Sequence, residues 1–304
     1  GEGTTSQGDF HEALNWASNA KAPVVFHIQD NEYAISTHRS EQMADSVYAM
    51  TSGYKNLSRY NVDGTNFFEA NLAFKQAIER ARKGKGPSII ISNVVRLLPH
   101  SSSDDQRKYR TENALDHDRK KDPLVVLKKQ CLEKDFINEK EFQKIQKDIE
   151  KQIDLDSEWA EKQEFPDPKT ALDHIYSNEK VLKEPMIQSI FNKIVIVDAI
   201  NHALHEEMKI NPKMIIYGQD IADPKGGVFT ATKGLTKKYG KERVFNSPLA
   251  ESSIIGTAIG MALTGYKPVV EIQFGDYIWT AMMQIRNEVV TLRYRSNNHW
   301  KCPM

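Results

Sequence analysis

Two short polar segments near the amino terminus carry residue types that bind a hard cation. The first is Gly1-Glu2-Gly3, and the second contains Asn31, which lies 29 positions after Glu2. Mg2+ and Ca2+ prefer carboxylate and amide oxygens as ligands, and glycines beside a carboxylate allow the backbone to approach a ligand closely. An ordinary strand-to-helix turn with a solvated Glu2 would also explain Gly-Glu-Gly. The spacing to Asn31 favours a cation site, in which carbonyl, water and phosphate oxygens supply the other ligands.

The residues between these two segments have the pattern of one helix followed by one strand. Phe10, Leu14 and Ala17 recur on one face of a helix that is predicted to begin near Asp9. Pro23 ends that pattern, and the apolar run 24–28 predicts a short buried strand. A turn, a helix and a strand would bring Glu2 and Asn31 to the same edge of a parallel sheet, where α/β folds bind their ligands.

The next elements continue the alternation. Residues 60–64 predict a strand that ends in an Asp-Gly turn, and Asn66 is a candidate cap for a helix that ends near Gly84. Residues 88–95 are rich in β-branched side chains and predict another strand. Strand, helix and strand in alternation indicate a parallel α/β sheet.

A polar loop follows that last strand. It runs from Leu98 to Arg110 and contains His100, three serines from Ser101 and two aspartates. The composition suits a lid that contacts phosphate, but an unspecialised flexible loop would look the same. From 122 to 163 the chain is strongly charged and predicted to be helical. One apolar stripe implies that the charges form the solvated face; it comprises Ile137, Phe142, Ile145, Ile149 and Ile153.

The second half of the chain also reads as α/β. Three prolines between 164 and 185 mark a boundary, and a long helical pattern then extends to Lys209. Strands are predicted at 214–217, 243–248 and 268–274. Helices are predicted at 252–264, where small residues allow close packing, and from Tyr277 to about Arg295.

Composition sets limits on function. The 304 residues suffice for two domains, and 41 basic residues balance 41 acidic ones, which gives no argument for nucleic acid or for an anionic membrane as partner. The two cysteines, Cys131 and Cys302, lack metal-ligand spacing and suit a reducing compartment. No apolar run approaches the roughly 20 residues of a membrane helix. Because the chain opens inside a motif, we expect it to be part of a longer protein. We expect this 304-residue piece to be inactive on its own.

These motifs together resemble the thiamine diphosphate-dependent decarboxylating component of 2-oxo acid dehydrogenase complexes. Residues 1–163 resemble the later part of its α subunit, and residues 186–304 resemble the early part of its β subunit. Residues 164–185 would be the linker of a fused chain. The resemblance implies an α/β fold of two thiamine diphosphate-binding-type domains, each a parallel sheet flanked by helices. The Gly1–Gly3 and 31–37 segments look most like the branched-chain 2-oxo acid branch, in which Glu can replace the usual Asp.

The resemblance also assigns residue roles. It implies that Mg2+ is bound by the side chains of Glu2 and Asn31 and by the carbonyl of Tyr33. Glu251 would activate the cofactor by hydrogen-bonding a ring nitrogen, although a glutamate at a helix start also has a simpler explanation in the helix dipole. His100 would assist proton handling beside the cofactor. The implied cofactor-binding residues are Gly1, Gly3, His100, Leu249, Glu251, Gln273 and Tyr277.

Two departures from the family pattern lie beside Asn31. Asp30 stands where an asparagine is usual, and Gln29 stands where some members place an arginine near the diphosphate. Ser101 matches the position of a serine that regulated mitochondrial members phosphorylate.

The implied activity is oxidative decarboxylation of branched-chain 2-oxo acids with reductive acylation of a lipoyl group. The implied partners are a lipoylated dihydrolipoyl acyltransferase and a second copy of the fused chain. The implied compartment is the cytoplasm, or the mitochondrial matrix in a eukaryote. A pyruvate or acetoin dehydrogenase and a non-catalytic assembly subunit remain as alternatives.

Overall fold

The chain divides into two compact units, Gly1–Phe165 and Pro166–Met304, in the computed structural model, which describes residues 1–178 and 193–304. Each unit contains a three-stranded parallel sheet with helices packed against it. The predicted α/β fold class is therefore confirmed. Residues 179–185 of the predicted linker and residues 186–192 of the predicted second domain lie outside the described residues.

The first unit is built on a sheet with the strand order β1-β5-β4 and a small antiparallel hairpin, β2-β3. Its strands are β1 (Val25–Asp30), β2 (Tyr33–Ala34), β3 (Thr37–His38), β4 (Ser58–Asp63) and β5 (Ser88–Asn93). Its helices are α1 (Gly8–Ala20), α2 (Arg39–Gln42), α3 (Val47–Met50), α4 (Phe67–Arg82), α5 (Glu112–Lys120), α6 (Pro123–Glu133) and α7 (Glu139–Glu161). Single 3-10 turns form at Glu2–Ser6, Thr51–Gly53 and Gln106–Lys108.

The central strand β5 explains why the core forms where it does. Ile89 and Ile91 pack with Leu14 of α1 on one face, whereas Ile90 packs on the other face with Ala73 of α4. A strand that is buried on both faces reads as a continuous apolar run, as this one does. The predicted helix cap is also present, since the Asn66 side chain accepts hydrogen bonds from two backbone N–H groups at the start of α4.

Two expectations about burial in this unit are wrong, those for β1 and for the apolar stripe on α7. β1 is only partly buried. On α4, Leu72 and Ile78 are exposed, whereas Ala73, Ala77 and Phe74 pack against the sheet. On α7 the predicted stripe is exposed by 49% at Ile145, 55% at Ile149 and 57% at Ile153. This helix is stabilised by local bonds instead, namely a capping box at its start and glutamine–carboxylate pairs four residues apart.

The second unit has the strand order β7-β6-β8. Its strands are β6 (Met214–Gly218), β7 (Val244–Asn246) and β8 (Lys267–Glu271). Its helices are α8 (Ile196–Ile210), α9 (Leu235–Tyr239), α10 (Glu251–Leu263), α11 (Met282–Gln284) and α12 (Leu292–Arg295), and 3-10 turns occur at Pro168–Leu172 and Gly275–Ala281. The core is a cluster of buried side chains from α8, the sheet and the segment between β6 and β7, namely Met208, Met214, Ile216, Ile221, Leu235 and Val244.

Two predicted elements of this unit differ from the structure. The last strand ends at Glu271, so Gln273 and Phe274 lie in the turn that follows it. The single helix predicted from Tyr277 is a series of short segments that includes a π-helical turn at Ile285–Val289. After that turn the Thr291 hydroxyl donates to the Asn287 carbonyl. A hydroxyl that bonds the carbonyl four residues earlier competes with the regular backbone hydrogen bond and often bends the helix. Within the described ranges, no helix is long and apolar enough to cross a lipid bilayer.

Candidate active site

Glu2 and Asn31 meet at the end of β1. The Asn31 backbone N–H donates to Glu2 Oε2 at 3.1 Å, across the 29 positions that separate the two residues. The Glu2 side chain is fully buried, yet its second oxygen, Oε1, has no hydrogen-bond partner among the residues that the structure describes. A buried carboxylate oxygen without a partner is energetically unfavourable, and a bound cation would satisfy it. The donor set is therefore suited to Mg2+, the metal that the sequence pattern implied.

The hairpin β2-β3 closes over this pair. Asn31 Oδ1 accepts the Tyr33 backbone N–H at 3.0 Å, which fixes the asparagine side chain and the start of the hairpin relative to each other. Gly3 packs so tightly that a Cβ there would lie 2.5 Å from Ala34 Cβ. Gly1 is exposed next to the Gln29 carbonyl, so this glycine is required less strictly than Gly3.

The possible ligands of a cation at Glu2 are not limited to acidic side chains. Among residues 1–178 and 193–304, no cluster of three or more His, Cys, Asp or Glu side chains has metal-site geometry. A cation at Glu2 would consequently depend on amide and carbonyl oxygens for its further protein ligands, as hard cations commonly do.

A cleft of about 400 Å³ opens beside Asn31 at the carboxyl ends of β1, β4 and β5. Its lining is polar and includes Arg39, Asp63, Asn93 and Lys121. Cofactor sites in open α/β sheets lie at this edge, and a cleft of this size lies within the range of small-molecule sites. The cleft is therefore a candidate binding region next to the Glu2–Asn31 pair.

The polar loop from Leu98 to Arg110, called the serine loop from here on, is connected to the β2-β3 hairpin by hydrogen bonds. Arg96 donates to the Ile35 carbonyl and to the Tyr109 hydroxyl, both at 2.6 Å. The Tyr109 hydroxyl donates to Asp104 Oδ2 at 2.7 Å, and the same oxygen accepts the His100 backbone N–H at 2.9 Å. The Tyr109 hydroxyl and that N–H hold the pKa of Asp104 below its usual range. The loop is thus ordered, with the His100 side chain exposed at its surface.

In the second unit, Glu251 is the first residue of α10 and is buried. Gln219, just beyond the end of β6, donates from Nε2 to Glu251 Oε1 at 3.0 Å. The sequence pattern did not single out Gln219; its only signal was a polar residue at the carboxyl end of a buried strand. Tyr217 supports this arrangement, since its buried hydroxyl donates to the Ile254 carbonyl and so fixes β6 to α10.

Gln273 donates hydrogen bonds to the same segment, the residues that directly follow β6. Its Nε2 donates to Asp220 Oδ2 at 2.8 Å and to the Gln219 carbonyl at 3.3 Å, so the predicted residue contacts the one that holds Glu251. The hydrogen bond from Gln273, with the ammonium of Lys225 beside it, lowers the pKa of Asp220. Burial raises the pKa of the neighbouring Glu271, and the charge of Asp220 adds to the effect.

The two remaining predicted contacts of this unit lie at the surface. Leu249 is 82% exposed and Tyr277 is 46% exposed, with the Tyr277 ring packed edge-on against Phe274. Their predicted role in cofactor binding stays a prediction. The structure thus brings Glu2 and Asn31 together in the first unit, and it links Glu251 and Gln273 through Gln219 in the second.

Comparison with known protein families agrees with this geometry. The sequence model of the family described as Dehydrogenase E1 component matches residues 1–169, which is more than half of the chain. The chain belongs to the Dehydrogenase E1 component family. A second model, described as Transketolase, pyrimidine binding domain, matches residues 192–302. The family resemblance drawn from the motifs is therefore confirmed.

Relatives of this E1 chain include proteins named as separate subunits. The chain matches 2-oxoisovalerate dehydrogenase subunit beta of Bacillus subtilis (strain 168) at 49% identity over 36% of this chain and 33% of the relative. It matches 2-oxoisovalerate dehydrogenase subunit alpha from the same organism at 35% identity over 58% of this chain and 54% of the relative. Pyruvate dehydrogenase E1 component subunit beta, also from that strain, is 40% identical over 37% and 34% respectively. The chain thus spans between a third and about half of the length of these relatives.

Proposed function

We propose that this E1 chain is part of the thiamine diphosphate-dependent decarboxylating component of a 2-oxo acid dehydrogenase complex. The preferred substrates would be branched-chain 2-oxo acids, and the acyl product would pass to a lipoyl group. Residues 1–163 would form an α-subunit-like domain and residues 186–304 a β-subunit-like domain, joined by the linker 164–185. The substrate class is supported by the 2-oxoisovalerate dehydrogenase names of relatives that match the chain.

The observation that carries this proposal is the buried Oε1 of Glu2, which is unpaired within residues 1–178 and 193–304. Glu2, Asn31 and the Tyr33 carbonyl would hold Mg2+, and Gly1 and Gly3 would leave room for the diphosphate next to it. Thiamine diphosphate supplies the electron sink that decarboxylation of a 2-oxo acid needs, because no side chain can stabilise the carbanion. His100 would act in proton handling from the serine loop.

Glu251 would serve the same reaction from the second unit. Its buried carboxyl group would hydrogen-bond a nitrogen of the aminopyrimidine and exchange a proton there, a task suited to a carboxyl group shielded from water. Gln219 supports this role, since its hydrogen bond fixes the orientation of the Glu251 carboxylate. Leu249, Gln273 and Tyr277 would contact the same ring.

The proposed partners follow from this activity. A lipoylated dihydrolipoyl acyltransferase would receive the acyl group, and the fused chain would form a homodimer. The compartment would be the cytoplasm, or the mitochondrial matrix in a eukaryote. Free thiols at Cys131 and Cys302 agree with a reducing compartment.

The proposal is tested with the full-length protein by calorimetric titration with thiamine diphosphate and Mg2+, followed by decarboxylation rates. Binding that requires Mg2+, together with faster turnover of 3-methyl-2-oxobutanoate than of pyruvate, is the expected result. The absence of cofactor binding would contradict the enzyme and favour a non-catalytic assembly subunit.

A second candidate is a pyruvate or acetoin dehydrogenase, because relatives named pyruvate dehydrogenase are 40% and 44% identical over about a third of the chain. The same rate comparison separates the two substrate classes. A strong preference for pyruvate would support the second candidate and contradict the branched-chain assignment.

A further inference from the structure

An ion pair at the end of β1 lies directly beside the Glu2–Asn31 site. Asp30 precedes Asn31, and its side chain is only 2% exposed. Arg39, which follows the hairpin, places Nη1 2.8 Å from Asp30 Oδ2. The other oxygen, Oδ1, accepts the Glu32 backbone N–H at 3.1 Å. The carboxylate of Asp30 is therefore bound on both oxygens although it is shielded from water.

Arg39 also holds Glu32, on the other side of Asn31. Its Nη2 lies 3.1 Å from Glu32 Oε1, and its own backbone N–H donates to the Glu32 carbonyl at 2.8 Å. Glu32 has a φ of +71°, in the left-handed region that is unfavourable for a residue with a side chain. Such a conformation persists where surrounding contacts enforce it, and here those contacts come from Arg39 and Asp30.

Asn31 is consequently held in place, because the residues before and after it both pair with Arg39. With Asp30 and Glu32 held by one guanidinium, the Asn31 N–H points at Glu2 Oε2, and its Oδ1 accepts the Tyr33 N–H. Neither Asp30 nor Arg39 contacts Glu2 in these bonds, so both act through the residue between them. Partners of this kind, one shell out from a cation, orient its ligands and commonly change metal affinity by about 10–100-fold when removed.

We propose that Asp30 and Arg39 are a positioning pair, which holds the Asn31 loop in the conformation that binds Mg2+ together with Glu2. This inference rests on the proposed function, because it assigns the loop to a cation site. It also explains the departure at Asp30: the aspartate stands where asparagine is usual because Arg39 is present to neutralise it.

The first test needs no ligand. Hydrogen exchange at the Asn31 and Tyr33 amides is measured in the full-length protein carrying Arg39→Gln, with Arg119→Gln as the matched control. Arg119 also bridges two carboxylates, Glu112 and Asp116, but on α5. Arg39→Gln should speed exchange at these two amides by roughly 10-fold or more, whereas the control should leave them unchanged. Equal acceleration across the whole first unit would indicate a merely structural role and overturn the inference.

The second test measures the Mg2+ concentration that gives half-maximal thiamine diphosphate binding, at a temperature where every variant is folded. Arg39→Gln should raise it by about 10–100-fold. The double variant Asp30→Asn with Arg39→Gln should recover part of that loss, since it removes the unpaired buried charge and keeps an oxygen for the Glu32 N–H.

The possible failures are distinguishable. A wild-type protein that binds Mg2+ and cofactor, with Arg39→Gln behaving identically, would overturn the positioning pair and leave the proposed function intact. A wild-type protein that binds neither would contradict the proposed function, and with it the cation role of the pair, whatever the exchange rates show.

Discussion

Glu2 combines complete burial with an incompletely bonded carboxylate. Replacing it with glutamine removes the charge that would bind a cation and relieves a buried charge that is unfavourable without one. We expect Glu2→Gln to abolish stabilisation by Mg2+ with thiamine diphosphate, which for a ligand at about 100 times its Kd amounts to roughly 2.7 kcal/mol. The ligand-free protein should be no less stable than wild type. Thermal unfolding with and without ligand measures both, the exposed Glu41→Gln is the control, and a retained ligand shift in Glu2→Gln would contradict the assignment.

Glu271 provides a pH-dependent prediction. Burial, and then the charge of Asp220, raises the pKa of Glu271 above its ordinary value of 4.5. A raised pKa in the folded state means that stability is fully present below that ordinary value and is lost as the pH rises through the folded-state pKa. Glu271→Gln cannot ionise, so it should be more stable than wild type at neutral pH and equal to it below about pH 4. Urea unfolding at a series of pH values measures the difference, and a gap independent of pH would show that ionisation is not the cause.

At the scale of elements, the Arg96 side chain helps to join the serine loop to the hairpin. Arg96 donates to the Ile35 carbonyl of the hairpin and to the Tyr109 hydroxyl, which leads on to Asp104. Hydrogen bonds that involve a charged group are worth about 1.5–3 kcal/mol each. Arg96→Met should therefore lower the free energy of local opening by about 2 kcal/mol or more.

The measurement for this prediction is hydrogen exchange or limited proteolysis of residues 98–104, which should become at least about 10-fold faster. Arg107→Met is the matched control, because Arg107 pairs with the nearby Asp105 on the exposed side of the loop. If the two variants opened the loop equally, the connection to the hairpin would not be what orders it.

The elements also show what a sequence can and cannot predict. Periodicity and capping located α1, α4 and β5, because those signals are local and Asn66 caps its own helix. The Glu2–Asn31 contact was predictable since a turn, a helix and a strand return the chain to the same sheet edge. The burial of α7 was not, because a stripe of isoleucines indicates a helix but not what covers it. Arg39 and Gln219 were missed for a related reason, as their partners are brought near only by folding.

At the scale of the whole molecule, each unit has its own core. Ile89 lies on β5 in the first unit and packs with Leu14 of α1, and Ile216 lies on the central strand of the second sheet; both are essentially inaccessible to water. Chains that contain two separate cores can lose one without the other, because the cooperative unit of unfolding is the packed core.

Truncating each core separately tests this independence. Ile89→Ala and Ile216→Ala should each cost about 2–5 kcal/mol, whereas Ile145→Ala on the exposed face of α7 should cost about 0.5 kcal/mol or less. Native-state hydrogen exchange should show the loss of protection after Ile89→Ala in residues 1–165 and that after Ile216→Ala in residues 193–304. If either core variant lowered protection equally in both ranges, the units would unfold as a single cooperative body. The residues around Glu2 and those around Glu251 would then unfold together. A destabilising variant in one unit would therefore also reduce cofactor binding by the residues of the other unit.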